Sequence, residues 1–319
     1  MRKKRKFTRS KILCIIILLI ILGMMWQGIM AYHDEQTYTS IGDFVDLGTY
    51  QAHYYSKGNG DVTFVFVTGA GTPCAYTDFY MLQNKLSDVG QTISFDHAGS
   101  GWSGDTKVVR SIENLVDELS VLIDTVAPNS PVVLICHSLG SLETIAYAQR
   151  YPERVKGIIF LDSGSPEFYS TDSELLAKLV NRGSAFLRTV GLNRLLGGVG
   201  FFLPIYGENI RNSKLQDDAK KIDKVMFYQF AGNIYSLDTI RLINENGRKV
   251  LKGPLLGQTP ILVLSSDSGD VWKDVQIQLA SWSENSKQIT IDHAKHYLYW
   301  SNYEDVEYYI NEFIQENFK

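Results

Sequence analysis

From residue 12 to residue 31 the chain is apolar almost without interruption, and only Gln27 in that stretch is strongly polar. Beyond it, short apolar runs alternate with longer stretches whose apolar residues recur every three or four positions. The runs at 62–67, 92–96, 132–136, 157–162, 261–264 and 288–291 read as strands, those at 132–136 and 261–264 apolar at every position. Strands of that kind are buried on both faces. A hairpin is expected at 45–55, with Gly48 at a bend. Helical patterns occupy 78–86, 112–126, 139–150, 271–282 and 304–316. The clearest places Ile112, Leu115, Val116, Leu119, Leu122, Ile123 and Val126 on one face, with Ser111 positioned to cap it and Pro128 just beyond its end. Strands separated by helices predict an α/β protein with a mostly parallel central sheet flanked by helices. Residues 165–255 break the rhythm: helices are expected at 174–190 and 219–230, with glycines and Pro204 between helical stretches and no convincing strand. The expected organisation is a sheet core at 40–164 and 256–319 that carries an inserted helical cap at 165–255.

The opening apolar run is 20 residues long, about the length a helix needs to cross the hydrocarbon of a bilayer. Seven basic residues, Arg2, Lys3, Lys4, Arg5, Lys6, Arg9 and Lys11, precede it, and Trp26 and Tyr32 lie near its far end. Cleaved signal peptides, the competing reading, have shorter apolar regions and a small-residue cleavage motif that is weak here. The pattern therefore predicts a cytoplasmic basic segment at 1–11 and a transmembrane helix at 12–31. Basic residues stay on the cytoplasmic side, so the expectation is a single-pass protein of the cell membrane with everything after about residue 33 outside the cytoplasm.

Net charge is −4, and the chain without its seven N-terminal cations carries about −11, which argues against nucleic acid as a partner. The three cysteines, Cys14, Cys74 and Cys136, are too few for a disulfide framework. No Cys/His or carboxylate cluster has zinc spacing and no phosphate-binding glycine loop occurs, so neither metal nor cofactor is expected.

The strand pattern at 132–136 runs into Cys136-His137-Ser138-Leu139-Gly140 and then into a helix. A serine on so sharp a turn needs small neighbours two positions away on either side, because strand and helix backbones approach closely there. It also sits at a helix N-terminus, where N–H groups favour developing negative charge. An ordinary N-cap serine is the plainer reading of the pentapeptide alone. With its flanking strand and helix it resembles the nucleophile elbow G-x-S-x-G, with Cys136 in place of the first glycine. The stretch from His137 to Asp162 is similar to the α/β-hydrolase superfamily, including Tyr151-Pro152-Glu153-Arg154-Val155 and Leu161-Asp162. Phe95-Asp96-His97-Ala98-Gly99-Ser100-Gly101-Trp102-Ser103 resembles that family's D-R-P-G-x-G-x-S loop, with His97 and Ala98 replacing arginine and proline.

The resemblance implies a serine hydrolase with Ser138 as nucleophile and the order serine, acid, histidine along the chain. Of the six histidines, His33, His53, His97 and His137 precede the serine, leaving His293 and His296. The motif register around Asp292-His293-Ala294-Lys295-His296-Tyr297-Leu298 aligns His296 with the base, with His293 as the alternative. The acid is expected at Asp267, just after the strand at 261–264; Asp270 and Asp162 are the alternatives. Thr68-Gly69-Ala70-Gly71 stands where the family has H-G-x-G, which points to the Ala70 and Leu139 backbone amides as the oxyanion hole. The implied activity is cleavage of an ester-like or related small-molecule acyl substrate through an acyl-enzyme. The competing class is a catalytically inactive hydrolase fold serving as a surface receptor or interaction module. Oligomeric state is not legible.

Overall fold

The computed structural model describes residues 2–128, 130–201 and 207–318; Pro204 lies outside them. The eight strands are β1 (Asp43–Asp46), β2 (Gln51–Lys57), β3 (Thr63–Val67), β4 (Gln91–Phe95), β5 (Val132–His137), β6 (Val155–Leu161), β7 (Ile261–Ser266) and β8 (Ser286–Ile291). They form one sheet in the order β1-β2-β4-β3-β5-β6-β7-β8. The β1–β2 and β2–β4 pairings are antiparallel, and every pairing from β4 to β8 is parallel.

Alternate residues of the central strands feed two cores. Val65, Val67, Leu134 and Cys136 face one side, with Leu119 of helix Ile112–Val126 and Ile145 of helix Gly140–Arg150. Phe64, Phe66, Val133 and Ile135 face the other, with Leu82 of helix Tyr80–Leu86 and Ile310 of helix Tyr303–Phe318. This double burial is why β3, β5, β6 and β7 read as continuous apolar runs rather than alternating ones. Ser111 caps its helix as expected, accepting a hydrogen bond from the Asn114 N–H. The expected helix at 78–86 is instead two, Ala75–Asp78 and Tyr80–Leu86, which meet at Phe79.

Between β6 and β7 the described residues form seven helices: Pro166–Thr171, Leu175–Thr189, Leu192–Gly198, Glu208–Lys214, Asp217–Phe230, Ile234–Arg241 and Ile243–Val250. Buried charges fasten this helical layer to the core. Arg211 donates to Asp78 Oδ1 and to Asp223 Oδ1, each at 2.9 Å, while Thr77 bonds Asp223 at 2.7 Å and Tyr299 bonds Asp78 at 2.9 Å. Burial pushes the Asp78 carboxyl up to about 6, although Arg211 and the Tyr299 hydroxyl pull the other way.

The N-terminus is a single helix, Arg2–Thr37, and its portion Arg9–Thr37 is long and apolar enough to cross a membrane. All three cysteines are free thiols, Cys14 exposed and the others buried.

Candidate active site

Ser138 follows β5 directly and has φ +53°, a left-handed conformation that only tight surroundings maintain in a serine. Two glycines make room for it. A Cβ at Gly140 would stand 2.8 Å from the Thr68 carbonyl oxygen, and one at Gly69 would stand 3.0 Å from the Ser138 Cβ. Cys136, in the place of the first elbow glycine, is fully buried beside Ser163, with Sγ 3.9 Å from the hydroxyl. Burial pushes its thiol up to about 12, so it stays neutral and acts as a small filler.

Ser138, His296, Ala70 and Leu139 all line one cavity of about 240 Å³, roofed by Tyr169, Ala177, Val180 and Asn181 of the helical layer. Among the described residues neither the Ala70 nor the Leu139 N–H donates a hydrogen bond within the protein, so both stay available to an oxygen in the cavity.

The acid differs from the expectation. Asp162, not Asp267, meets the histidine: His296 Nδ1 lies 2.7 Å from Asp162 Oδ2. The cause is the path of the backbone. Asp162 follows the last residue of β6 at φ +46°, which turns its side chain across the end of β7, where the Ser266 N–H and Trp272 Nε1–H each bond Oδ1 at 2.7 Å. With Oδ1 fixed, Oδ2 faces His296. After Ser266 the chain leaves the sheet, so Asp267 and Asp270 are exposed, and Asp270 opens helix Asp270–Ala280. His293 is exposed and has no part in the cavity.

Because Nδ1–H donates to a carboxylate, the Nε2 of His296 is the nitrogen left to take a proton. No Ser138–His296 hydrogen bond is present among the described residues; the buried Tyr169, whose hydroxyl accepts from the Gly164 N–H at 3.3 Å, lines the same cavity as Ser138. Sequence reasoning had no signal for Tyr169, since it lies on the cap helix Pro166–Thr171. It likewise missed Trp272, whose contact depends on how the helix after β7 lies.

Two further histidines hold the site in place. His137 Nε2–H donates to the His296 carbonyl at 3.1 Å, and the two rings lie 4.6 Å apart. Burial, reinforced by the neighbouring His296, holds His137 well below its ordinary range, so it is neutral. His97 bridges Thr68 Oγ1 at 3.1 Å and Glu143 Oε2 at 2.9 Å. It ties the loop carrying Ala70 to the helix that follows Ser138. In the loop containing His97, Gly101 has φ +52°, and a Cβ there would stand 1.8 Å from the Asp96 carboxylate. The Asp96 carboxylate in turn holds the Ala75 N–H and His53 Nδ1 at 2.7 and 2.8 Å.

A parallel sheet with a serine on a left-handed turn beyond its fifth strand, and a histidine–aspartate pair beside it, defines the α/β-hydrolase class. Residues 62–303 match the family model described as alpha/beta hydrolase fold, and the chain belongs to that family and is an enzyme of it. It is 28% identical over 229 residues to the uncharacterized protein YbdG of Bacillus subtilis, covering 71% of this chain and 69% of that one. It is 29% identical over 136 residues to the cis-3-alkyl-4-alkyloxetan-2-one decarboxylase of Shewanella oneidensis, covering 42% of this chain and 41% of that enzyme. It is 32% identical over 136 residues to the monoglyceride lipase of Rattus norvegicus, covering 40% and 45%. Among solved structures, a thermophilic esterase from Thermogutta terrifontis superposes with a TM-score of 0.64 at 20% identity, over 87% of this chain and 100% of that one. An epoxide hydrolase from Bacillus megaterium gives 0.67 at 17% identity, over 86% and 100%. At those identities the structural likeness speaks for the fold.

Proposed function

We propose that the protein is a membrane-anchored serine hydrolase that cleaves an ester-like acyl substrate outside the cytoplasm, with Ser138, His296 and Asp162 as its triad. The observation that carries this reading is the 2.7 Å bond from His296 Nδ1 to Asp162 in the cavity that Ser138 opens into. His296 Nε2 takes the Ser138 proton as Oγ attacks the substrate carbonyl carbon. Asp162 stabilises the imidazolium and keeps the tautomer that leaves Nε2 free. The carbonyl oxygen gains negative charge between the Ala70 and Leu139 N–H groups. His296 then gives its proton to the departing alkoxide, leaving an acyl-serine. Water, deprotonated by the same Nε2, attacks the acyl carbon, and the proton returns to Ser138 as the acid leaves.

A serine at the elbow favours acyl transfer over reactions that begin from an aspartate nucleophile there. The named relatives include a monoglyceride lipase, which supports an acyl substrate without choosing one. Anchorage rests on the apolar helix preceded by basic residues. The test is hydrolysis of p-nitrophenyl esters from acetate to palmitate by the full chain in detergent. Turnover that vanishes in Ser138→Ala is expected; turnover equal in wild type and variant, or absent from both across the series, contradicts the proposal.

A further inference from the structure

The two cap helices Leu175–Thr189 and Leu192–Gly198 are inside out. They bury Asn181, Ser184, Asn193 and Arg194, while Leu175, Leu179, Phe186, Leu192, Leu195 and Val199 are exposed. On the first helix these apolar residues fall at i, i+4 and i+11, with the exposed Arg182 between them at i+7; the second set falls at i, i+3 and i+7. The second set is one continuous apolar stripe, and the first is apolar but for Arg182, whose long stem lets its charge reach the headgroups. A helix packed on a protein in water turns that stripe inward; here it turns outward on both.

The same corner of the cap is fastened to the apolar N-terminal helix. Gly23 lies under the Val190 carbonyl so closely that a Cβ would stand 2.3 Å from its oxygen, and a Cβ at Gly191 would stand 3.0 Å from the Trp26 ring. Gln27 donates to the Tyr228 carbonyl at 2.8 Å and accepts from Arg194 Nε at 3.1 Å, and Arg194 pairs with the buried Asp34 at 2.7 Å. Gln27, the strongly polar residue in the apolar run, is thus satisfied by the cap. The depth of this contact is decisive. Gly23 is eight residues inside the outer end of the run at 12–31, which at 1.5 Å per residue is roughly 12 Å. If that run crosses the hydrocarbon, the corner at 190–194 is below the surface of the outer leaflet.

We infer that the cap is a membrane-docking surface: Leu192, Leu195 and Val199, with the stripe of helix Leu175–Thr189, are immersed in the outer leaflet of the phospholipid bilayer that the N-terminal helix crosses. The inference rests on the anchor reading and is independent of the chemistry at Ser138. Its functional consequence follows from one helix having two faces. Leu175–Thr189 presents Leu175 and Leu179 to lipid and lines the reaction cavity with Ala177, Val180 and Asn181. A substrate whose acyl chain resides in the bilayer reaches Ser138 along this helix without crossing bulk water.

The experiment uses the full chain in phosphatidylcholine vesicles. On a Cys14→Ser background, Leu195→Cys and Val121→Cys are each labelled with a small environment-sensitive fluorophore; Cys74 and Cys136 are buried. Val121 lies one turn from Asp124, which pairs with Arg154 at the start of β6, at the end of the sheet away from the cap. Lipids with a nitroxide on the acyl chain are expected to quench the Leu195→Cys label several-fold and leave the Val121→Cys label unaffected. The wild-type Cys14 label reports the anchor separately. Quenching at Cys14 without quenching at Leu195→Cys overturns the docking inference and leaves the anchor standing. No quenching at Cys14 overturns both. Neither result depends on hydrolysis, so activity at Ser138 is judged apart.

Discussion

Asp162 and Asp267 make opposite demands on experiment. The Asp162 carboxylate accepts from Ser266, Trp272 and His296, and it is buried; Asp267 is exposed. Asp162→Asn presents an amide where the His296 Nδ1–H needs an acceptor, and is expected to lower kcat by about 10⁴-fold. Asp267→Asn is expected to leave steady-state kinetics within about twofold of wild type, the range expected of an exposed side chain away from the site. Equal losses in the two variants would sink the assignment. Tyr169 offers a finer test. Its hydroxyl accepts from the Gly164 N–H and its side chain lines the cavity beside Ser138, so Tyr169→Phe removes one hydrogen bond without creating a large cavity. A loss of about 0.5–1.5 kcal/mol in stability, read by thermal unfolding, with kcat within about tenfold of wild type, is expected from the net value of one such bond. At this scale Ser138 and His296, which line one cavity, were legible in the sequence because the small residues around Ser138 and the late His296 are local signals. The carboxylate that bonds His296 was not. Asp162 and Asp267 both follow buried strands, and the difference between them is one left-handed φ and the partners of one carboxylate oxygen. Neither leaves a mark in residue spacing.

Elements carry the next set of effects, because the helical layer is held to the core by charges rather than by apolar packing alone. Arg211 joins Asp78 beside the core to Asp223 on helix Asp217–Phe230. Removing one member of a buried ion-pair set leaves the others uncompensated, so Arg211→Met is expected to cost about 3–5 kcal/mol of stability, read by thermal unfolding. Asp78 gives the pH dependence. Its carboxyl is raised from 3.8 to about 6, so the folded state holds the proton more tightly than the unfolded chain. That contribution to stability is fully present below pH 3.8 and lost as pH rises through 6. Asp78→Asn cannot titrate, so its Tm should fall less than that of wild type between pH 4 and pH 7. A steeper fall in the variant would contradict the burial argument. The parallel core was legible element by element, since double burial makes continuous apolar runs at β3, β5, β6 and β7. The cap was only partly so. Helices at 174–190 and 219–230 were expected, but the orientation of an amphipathic helix is invisible until its neighbours are known, and Leu175–Thr189 faces the opposite way from a helix in a water-soluble protein.

At the scale of the whole molecule, the apolar N-terminal helix, the helical layer between β6 and β7 and the sheet core are one connected structure among the described residues, rather than a domain on a flexible stalk. The N-terminal helix continues unbroken to Thr37, and Asp34 on it pairs with Arg194 of the cap. Asp34→Ala should therefore destabilise the cap, lowering Tm in detergent by several degrees, an effect that a passive tether would not show. The central claim remains the chemistry at Ser138, and its most direct measurement is covalent. A fluorophosphonate probe phosphonylates a serine only when a base activates it, and mass spectrometry of the digested protein locates the adduct. One adduct is expected, on Ser138, absent from Ser138→Ala and formed far more slowly in His296→Ala. An adduct on another serine, or none on folded wild-type protein, would contradict that claim.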